Sequence, residues 1–192
     1  MKIAFCGIDG CGKSTQIQKL KNILEFDDNK VEILKYQFTP YHLYKENLKK
    51  EELLSLGTAY DFIRMNIETE KNIGNLDFAL YDRHKICYLA LAKAYECKNI
   101  DDIVKLYSLI EQPDLTVYFE NSVNTSMQRI LSRNKPLSNR EELEFLKKFK
   151  DAYEFFIDLG YYNELVVIDA NQSIENVEKQ MIEKVYKKIK RR

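Results

Sequence analysis

The feature of this sequence that most constrains its fold is GIDGCGKST at residues 7–15, which directly follows the apolar segment KIAFC. It matches the pattern Gly-x4-Gly-Lys-Ser, in which a strand leads into a glycine-rich loop and then into a helix. The segment STQIQKLKNILEF supplies the helix, because its Ile17, Leu20, Ile23 and Leu24 fall on one stripe. The pattern predicts a loop that binds the phosphates of a nucleotide.

The residue types in this loop match that chemistry. Glycines permit positive φ angles and have no Cβ, so consecutive backbone amides can turn towards one phosphate. The helix start adds the positive end of its dipole, Lys13 reaches the β- and γ-phosphates, and the Ser14 hydroxyl ligates Mg²⁺. A glycine-rich turn that only caps a helix is the alternative, and the flanking strand and helix argue against it. The predicted nucleotide-binding residues of the loop are Gly7, Gly10, Gly12, Lys13, Ser14 and Thr15.

Composition and charge argue against several classes of protein. We expect one domain over residues 1–192, because domains usually span about 100–200 residues. With 30 basic and 30 acidic residues, the chain lacks the basic surplus of proteins that bind duplex nucleic acid. The sequence shows neither a membrane-spanning apolar run nor a signal peptide, so we expect a cytoplasmic protein without a membrane partner. The four cysteines include no C-x-x-C pair, which predicts reduced thiols rather than a zinc site or disulfides.

Five short segments rich in branched and aromatic residues alternate with segments of helical spacing. The predicted strands are residues 2–6, 31–36, 78–82, 115–120 and 165–169. Among the helical segments, residues 139–160 place apolar side chains on one stripe and end on Gly160, a residue typical of helix C-caps. Strands that alternate with helices indicate parallel βαβ units. We therefore predict an α/β fold with a parallel sheet covered by helices on both faces.

The segment FALYDRH ends a predicted strand in Asp82, Arg83 and His84. A carboxylate at the carboxyl end of a central parallel strand lies where α/β sheets bind ligands. We predict that Asp82 holds Mg²⁺ through water and that Arg83 neutralises phosphate charge. A surface ion pair at the strand end is the alternative. His84 is interpreted as a residue that starts the following helix.

Two further groups of residues are candidates for binding. Arginines cluster between residues 128 and 141, where a mobile loop can close over the transferring phosphates; the alternative is a solvated helix end. Tyr60 and Arg64 lie one helical turn apart, a spacing that lets an aromatic ring and a guanidinium contact one nucleobase. Core packing is the alternative for Tyr60.

The segments GIDGCGKSTQ, YDRH, PDLTVYFE and VVIDANQSIENV together resemble the thymidylate kinase (dTMP kinase) family, in the same order and with comparable spacing. The resemblance extends from the first strand to about Val177. It implies a P-loop kinase core with a five-stranded parallel sheet, usually a homodimer. The implied reaction is Mg²⁺-dependent transfer of the ATP γ-phosphoryl group to a nucleoside monophosphate, with dTMP as the favoured acceptor.

The resemblance also assigns roles to individual residues. The implied catalytic residues are Asp9, Lys13, Asp82, Arg83, Arg133 and Arg140. Asp9 would face the sugar of the acceptor and the metal region, and the arginines of an Arg-rich lid at about residues 133–141 would close over the phosphates. Ser14 and Asp82 would hold Mg²⁺, while Arg129 joins the loop residues in binding ATP. Asp9, Tyr60, Arg64 and Arg83 would contact the acceptor.

The sequence departs from the family pattern on the acceptor side. Relatives usually carry an arginine after the second strand that grips the acceptor phosphate, and YQFTPYHLYK has none. The cations left for that role are Lys35, Lys45, Arg64 and Arg83. Cys87 replaces a frequent serine, Ala90-Leu91-Ala92 replaces Ala-Tyr-Gln, and Cys6 replaces a frequent glutamate.

These departures leave alternatives open beside a dTMP kinase. The first is a relative that acts on another nucleotide or on a nucleoside. A nucleoside hydroxyl requires a carboxylate base, and YQFTPYH offers none after the second strand. The second alternative is a nucleotide-binding switch without phosphotransfer, but a GTPase would show N-K-x-D and this chain has only N-K-P-L.

Overall fold

A computed structural model describes residues 1–35, 58–71, 73–138 and 140–191. In this part of the chain, one five-stranded sheet has the order β2-β3-β1-β4-β5. The strands are β1 (Lys2–Cys6), β2 (Val31–Leu34), β3 (Phe78–Asp82), β4 (Leu115–Glu120) and β5 (Leu165–Asp169). Every neighbouring pair is parallel, which confirms the predicted sheet.

One strand boundary differs from its prediction. β2 ends at Leu34, whereas the sequence predicted a strand to residue 36. β2 pairs with β3, and the ladder stops at the pair Leu34 and Tyr81, one residue before β3 itself ends at Asp82. Lys35 therefore follows the strand, beside the end of β3.

The helices connect the strands across both faces of the sheet. They are α1 (Lys13–Phe26), α2 (Thr58–Glu70), α3 (Lys85–Ala94), α4 (Ile100–Ser108), α5 (Val123–Leu131), α6 (Leu143–Asp158), α7 (Ile174–Gln180) and α8 (Lys187–Ile189). A 3-10 turn covers Ile73–Asn75, and a π-helical segment, Met181–Tyr186, joins α7 to α8. None of the helices in the described ranges is long and apolar enough to cross a membrane.

Gly160 ends α6 as the sequence predicted. Its φ angle is 72°, which is left-handed and favours glycine. The amide of Gly160 donates to the Ile157 carbonyl at 2.9 Å, and the amide of Tyr161 donates to the Phe156 carbonyl at 3.1 Å. These bonds satisfy carbonyls that the end of the helix leaves without intrahelical donors.

Both faces of the sheet are buried, because its side chains alternate between two hydrophobic clusters that helices cover. In β1, Ile3 and Phe5 pack in one hydrophobic cluster with α1 and the C-terminal helical segments. Ala4 and Cys6 point to the other cluster, which contains side chains of α3 and α6. The predicted helical cover on both faces is confirmed.

The strand order determines where a ligand meets the chain. β1 lies in the centre of the sheet, with β3 on one side and β4 on the other. The strand order reverses at such a point, because the connections on its two sides lead away in opposite directions. At this point α/β proteins bind ligands outside the carboxyl ends of the strands. The glycine-rich loop follows β1 at this position.

Candidate active site

The glycines of the loop between β1 and α1 adopt conformations that other residues rarely take. Their φ angles are 140° at Gly7, 84° at Gly10 and 90° at Gly12. Two of them also lie too close to β4 and α5 to carry a side chain. A Cβ at Gly7 would lie 2.8 Å from the carbonyl oxygen of Phe119, and one at Gly10 would lie 2.6 Å from that of Ser126. The glycine pattern therefore follows from both backbone conformation and packing.

Lys13, the first residue of α1, folds back over the loop. Its side chain is buried, and Nζ donates to the carbonyl oxygens of Gly7 at 2.8 Å and Ile8 at 2.9 Å. The Sγ atom of Cys11 lies 3.3 Å from the same nitrogen. These contacts hold a positive charge in the concave side of the loop, where a phosphate would sit.

Ser14 and Asp82 meet beside this lysine. The Ser14 hydroxyl donates to Oδ2 of Asp82 at 3.2 Å, and Asp82 is buried at the end of β3. The sequence predicted both residues as magnesium ligands, and the structure brings their oxygens together. The two residues are 68 positions apart in the chain.

Arg83 and Asp9 form an ion pair across the site. The Nη2 atom of Arg83 lies 2.5 Å from Oδ1 of Asp9. The guanidinium also lies over the ring of Phe149, at 5.9 Å from its centroid, and Nη1 donates to the Tyr153 hydroxyl at 3.3 Å. Arg83 has a φ angle of 81°, which costs energy in a residue other than glycine. These contacts hold the strained residue in place.

The charges around Asp9 determine its ionisation. Burial alone would raise the pKa of its carboxyl group, but the positive charges of Arg83 and Lys13, with smaller effects of Arg140 and Arg133, lower that pKa below its ordinary value. Asp9 is therefore an anion at neutral pH. It can accept hydrogen bonds and balance Arg83, but it is a poor proton acceptor.

These residues line a cavity of about 290 Å³ at the carboxyl ends of the strands, which we call the phosphate cavity. Its lining consists of Asp9, Gly10, Gly12, Lys13, Ser14, Thr15, Lys35, Asp82, Arg83, Arg133 and Arg140. Five cationic side chains thus face two carboxylates. This excess of positive charge suits polyanions such as phosphate groups.

A second cavity of about 210 Å³ shares the glycine loop and Arg133 with the phosphate cavity. Arg129 lines it, and its guanidinium is fixed by donating to the carbonyl oxygens of Ala170 at 2.8 Å and Gln172 at 3.0 Å. Ile174 and Val177 add apolar surface. We call it the base cavity, because a planar guanidinium beside aliphatic side chains offers a stacking surface for an aromatic ring.

The arginines predicted for a lid reach the phosphate cavity from the segment that follows α5. Arg133 and Arg140 both line that cavity. The Nη1 atom of Arg133 lies 3.3 Å from Oε1 of Glu141, which links the two ends of the segment. The structure thus places these charges at the site, while closure of a lid stays a prediction.

The residues predicted to contact the acceptor base lie elsewhere. Tyr60, on α2, is 66% exposed, and Arg64 is paired with Glu68 through distances of 2.9 and 3.0 Å. Neither residue lines the phosphate cavity or the base cavity. Their role stays a prediction, and Lys45 lies outside the described residues.

Some contributors were missed by sequence reasoning. Tyr153 was assigned only to the apolar stripe of α6, yet its hydroxyl holds Arg83. Gln16 and Ile174 line the base cavity, and the Gln16 amide donates to the Ile174 carbonyl at 3.3 Å. The available signal was weak: a tyrosine or glutamine at a buried helical position carries a polar end that needs a partner.

Two departures from the family pattern are neighbours in space. The Sγ atoms of Cys6 and Cys87 lie 3.1 Å apart, and both thiols are buried and free. His84, between Arg83 and α3, is the N-cap residue of that helix, as predicted. Burial, with the nearby charges of Lys85 and Lys2, lowers the pKa of His84 to about 3, so its ring is neutral.

Comparisons with known proteins agree with this geometry. The family model described as Thymidylate kinase matches residues 5–181. The thymidylate kinase of Mycoplasma capricolum subsp. capricolum is 28% identical over an alignment of 213 positions, which covers 99% of this chain and 96% of that protein. The thymidylate kinase of Fervidobacterium nodosum is 24% identical over an alignment of 195 positions, which covers 95% of this chain and 96% of that protein.

A solved structure shares the fold. It is the structure of deoxyadenosine kinase from M. mycoides with bound dATP, and it superposes with a TM-score of 0.72 at 21% identity. The match covers 97% of this chain and 100% of that chain. At this identity the likeness concerns the arrangement of the sheet and its helices.

Proposed function

Because the chain belongs to the thymidylate kinase family, we propose that it transfers the γ-phosphoryl group of MgATP to dTMP, producing ADP and dTDP. The family assignment rests on the match over residues 5–181. The observation that carries the chemistry is the phosphate cavity, in which the glycine loop, Asp82, the pair Asp9 and Arg83, and the arginines after α5 meet. Such a site positions phosphates and neutralises their charge, as phosphoryl transfer requires.

ATP would occupy both cavities. Its phosphates would bind the amides of the loop, and its base would enter the base cavity beside Arg129, because the two cavities meet at Gly10, Gly12 and Thr15. Arg133 lines both cavities. In this arrangement Lys13 turns from the loop carbonyls to the β- and γ-phosphates.

The site also has oxygen ligands suited to Mg²⁺. This ion prefers oxygen and is commonly held by one or two carboxylates together with phosphate oxygens and water. The carboxylate of Asp82 and the hydroxyl of Ser14, which are 3.2 Å apart, would hold it. In the described ranges, no cluster of three or more His, Cys, Asp or Glu side chains could hold a metal ion, so substrate phosphates would supply further ligands. When bound, Mg²⁺ reduces the negative charge on the phosphate oxygens.

The protein side chains would contribute mainly by placing charge. The phosphate of dTMP is already an anion, so it needs no strong general base to attack. Arg83, held by Asp9 and Tyr153, would orient the acceptor phosphate and reduce repulsion between it and ATP. Arg133 and Arg140 would stabilise the charge that develops on the transferring group.

The remaining features of the family are part of the same proposal. Tyr60 and Arg64 would contact the acceptor base once the substrate is bound, and two copies of the chain would form a homodimer. Light scattering of the purified protein measures the second of these directly. A mass of two chains is expected, and a mass of one chain at all concentrations would contradict the dimer.

The reaction is tested by measuring ADP release from MgATP with a panel of acceptors. The panel contains dTMP, dUMP, UMP, CMP, thymidine and deoxyadenosine. Deoxyadenosine is included because the solved structure that shares the fold is a deoxyadenosine kinase. We expect the largest stimulation from dTMP. Stimulation by none of them would refute the kinase, whereas activity with UMP or CMP but not dTMP would change only the acceptor. Activity confined to a nucleoside would identify a nucleoside kinase.

A further inference from the structure

We propose that Lys35 binds the phosphate group of the acceptor, beside Arg83. The inference deepens the proposed phosphotransfer function and rests on it. Lys35 lines the phosphate cavity, and its Nζ atom lies 3.5 Å from Oδ2 of Asp82. The residue follows β2, whose pairing with β3 places it beside that carboxylate.

The order of the strands assigns the two substrates to opposite sides of the loop. The base cavity is lined by Arg129 of α5, which follows β4, and by Ile174 and Val177 of α7, which follows β5. A donor nucleotide in that cavity occupies the β4 and β5 side of β1. The acceptor phosphate therefore approaches from the β3 and β2 side, where Lys35 lies at the end of the edge strand.

Lys35 shares the phosphate cavity with four other cations. Arg140 lies with Arg133 in the segment between α5 and α6, and the other three have partners that hold them in the structure. Lys13 donates to the carbonyls of the loop, Arg83 is paired with Asp9 at 2.5 Å, and Arg133 is paired with Glu141 at 3.3 Å. Lys13 and Arg133 also lie next to the donor loop. Lys35, which directly follows β2, is placed to meet a group that arrives from the opposite direction.

The present contact of Lys35 is easily exchanged. Its side chain is 72% exposed, and the separation from Asp82 is long for an ion pair. An exposed ammonium group at this distance gains little from one carboxylate, so a phosphate with a higher charge competes well for it. Asp82 keeps the hydrogen bond from Ser14 when Lys35 turns away.

The experiment compares the binding of dTMP and of thymidine, its counterpart without a phosphate, by isothermal titration calorimetry. We expect Lys35→Ala to weaken dTMP binding by about 10- to 100-fold, as for a lost hydrogen bond to a charged group. The affinities for thymidine and MgATP should stay within about twofold of the wild type, since the lysine contacts neither in this assignment. Lys35→Arg should restore most of the dTMP affinity.

Two control variants make the result specific. Lys30→Ala removes the same charge from an exposed residue just before β2, at the opposite end of the strand from the phosphate cavity, and should leave dTMP binding unchanged. Lys45→Ala removes the next lysine after Lys35 in the sequence. Circular dichroism establishes that each variant is folded before its binding is measured.

Several outcomes would overturn the assignment of Lys35 while leaving the enzyme a kinase. They are unchanged dTMP affinity in Lys35→Ala, an equal loss of thymidine and dTMP affinity, and a loss confined to Lys45→Ala. Absence of binding and turnover with every monophosphate in the wild type has a different meaning. It would refute the proposed function and, with it, this role of Lys35.

Discussion

The proposed donor side and the proposed acceptor side of the site are built in different ways. On the donor side, backbone amides of a loop with three left-handed glycines lie between a central strand and a helix, and Arg129 is fixed by two carbonyls. On the acceptor side, the charges belong to side chains, including Lys35, which is 72% exposed. Backbone geometry follows from a local pattern, whereas side-chain contacts depend on how distant segments meet. The donor side is therefore specified mainly by a local pattern, and the acceptor side mainly by contacts between distant segments.

The largest effect is expected from removing the cation of the donor loop. Lys13→Ala should lower kcat by about 100- to 1,000-fold, because the side chain would stabilise charge on the transferring phosphates. The binding of dTMP should change little. Steady-state ADP release and calorimetry measure the two quantities, with Lys21→Ala, on the same helix and paired with Glu25, as the control. A small change in kcat would show that the donor side does not work through this lysine.

The dependence of the donor loop on backbone conformation and packing is tested by adding methyl groups to glycines. Gly10→Ala should lower the free energy of unfolding by about 2–5 kcal/mol, since it combines a left-handed conformation with a close approach to the backbone of Ser126. Gly12→Ala should lower the free energy of unfolding by only about 1–2 kcal/mol. Gly12 also has a left-handed conformation, but no atom lies within 4 Å of the added Cβ. Urea unfolding measures both.

Gly74→Ala is the matched control for these variants. Gly74 has no positive φ angle and no atom within 4 Å of a Cβ, so the substitution should not lower stability. Equal losses for Gly10→Ala and Gly12→Ala would show that packing against α5 does not restrict the loop.

The ion pair between the two sides should contribute to stability in a pH-dependent way. Asp9→Asn should lower the free energy of unfolding by about 1–3 kcal/mol at pH 7, because it leaves Arg83 without its anionic partner. The pKa of Asp9 is lowered in the folded protein. Its contribution is therefore complete above the ordinary aspartate pKa of about 3.9 and is lost as the pH falls through the lower folded value.

Urea unfolding of the wild type and of Asp9→Asn between pH 7 and pH 3 measures this dependence. The difference between them should be constant down to about pH 5 and should shrink below about pH 4. Asp151→Asn, at an exposed position of α6, removes a carboxylate without such a partner and should show no comparable difference. A gap that widens on acidification would contradict the assigned ionisation of Asp9.

The smallest effect is expected at the acceptor base. Tyr60→Ala should raise the KM for dTMP by about 2- to 10-fold, as for the loss of one aromatic contact, while kcat stays nearly unchanged. The ring is 66% exposed, so the fold should be unaffected. Phe26→Ala, which removes an aromatic ring that is 90% exposed at the end of α1, is the control. An unchanged KM would remove Tyr60 from the acceptor site.

Much of the fold was predictable because its signals are local. Strand segments covered on both faces are continuously apolar, helices show one apolar stripe, and Gly160 marks a helix end. The same holds for the donor loop, whose glycine spacing specifies its conformation. The end of β2 was predicted two residues too late, because it depends on where the ladder with β3 stops, at the pair Leu34 and Tyr81, and no local pattern shows that point.

Contacts between distant segments were not predictable in this way. Arg83 and Asp9 are 74 residues apart, Arg83 and Tyr153 are 70 apart, and the thiols of Cys6 and Cys87 are 81 apart. The segment around each residue gives no sign of its distant partner. Their pairing follows from the order and register of the strands, which no local pattern specifies.

The sequence by itself predicted a glycine loop between the first strand and the following helix that binds the phosphates of a nucleotide. That conclusion needs only backbone conformation and residue type at neighbouring positions. The tertiary structure decided which charges surround the phosphates: it paired Asp9 with Arg83, brought Ser14 to Asp82, and placed Lys35 at the same cavity. These choices depend on electrostatic contacts a few ångströms long between segments that only the folded sheet brings together.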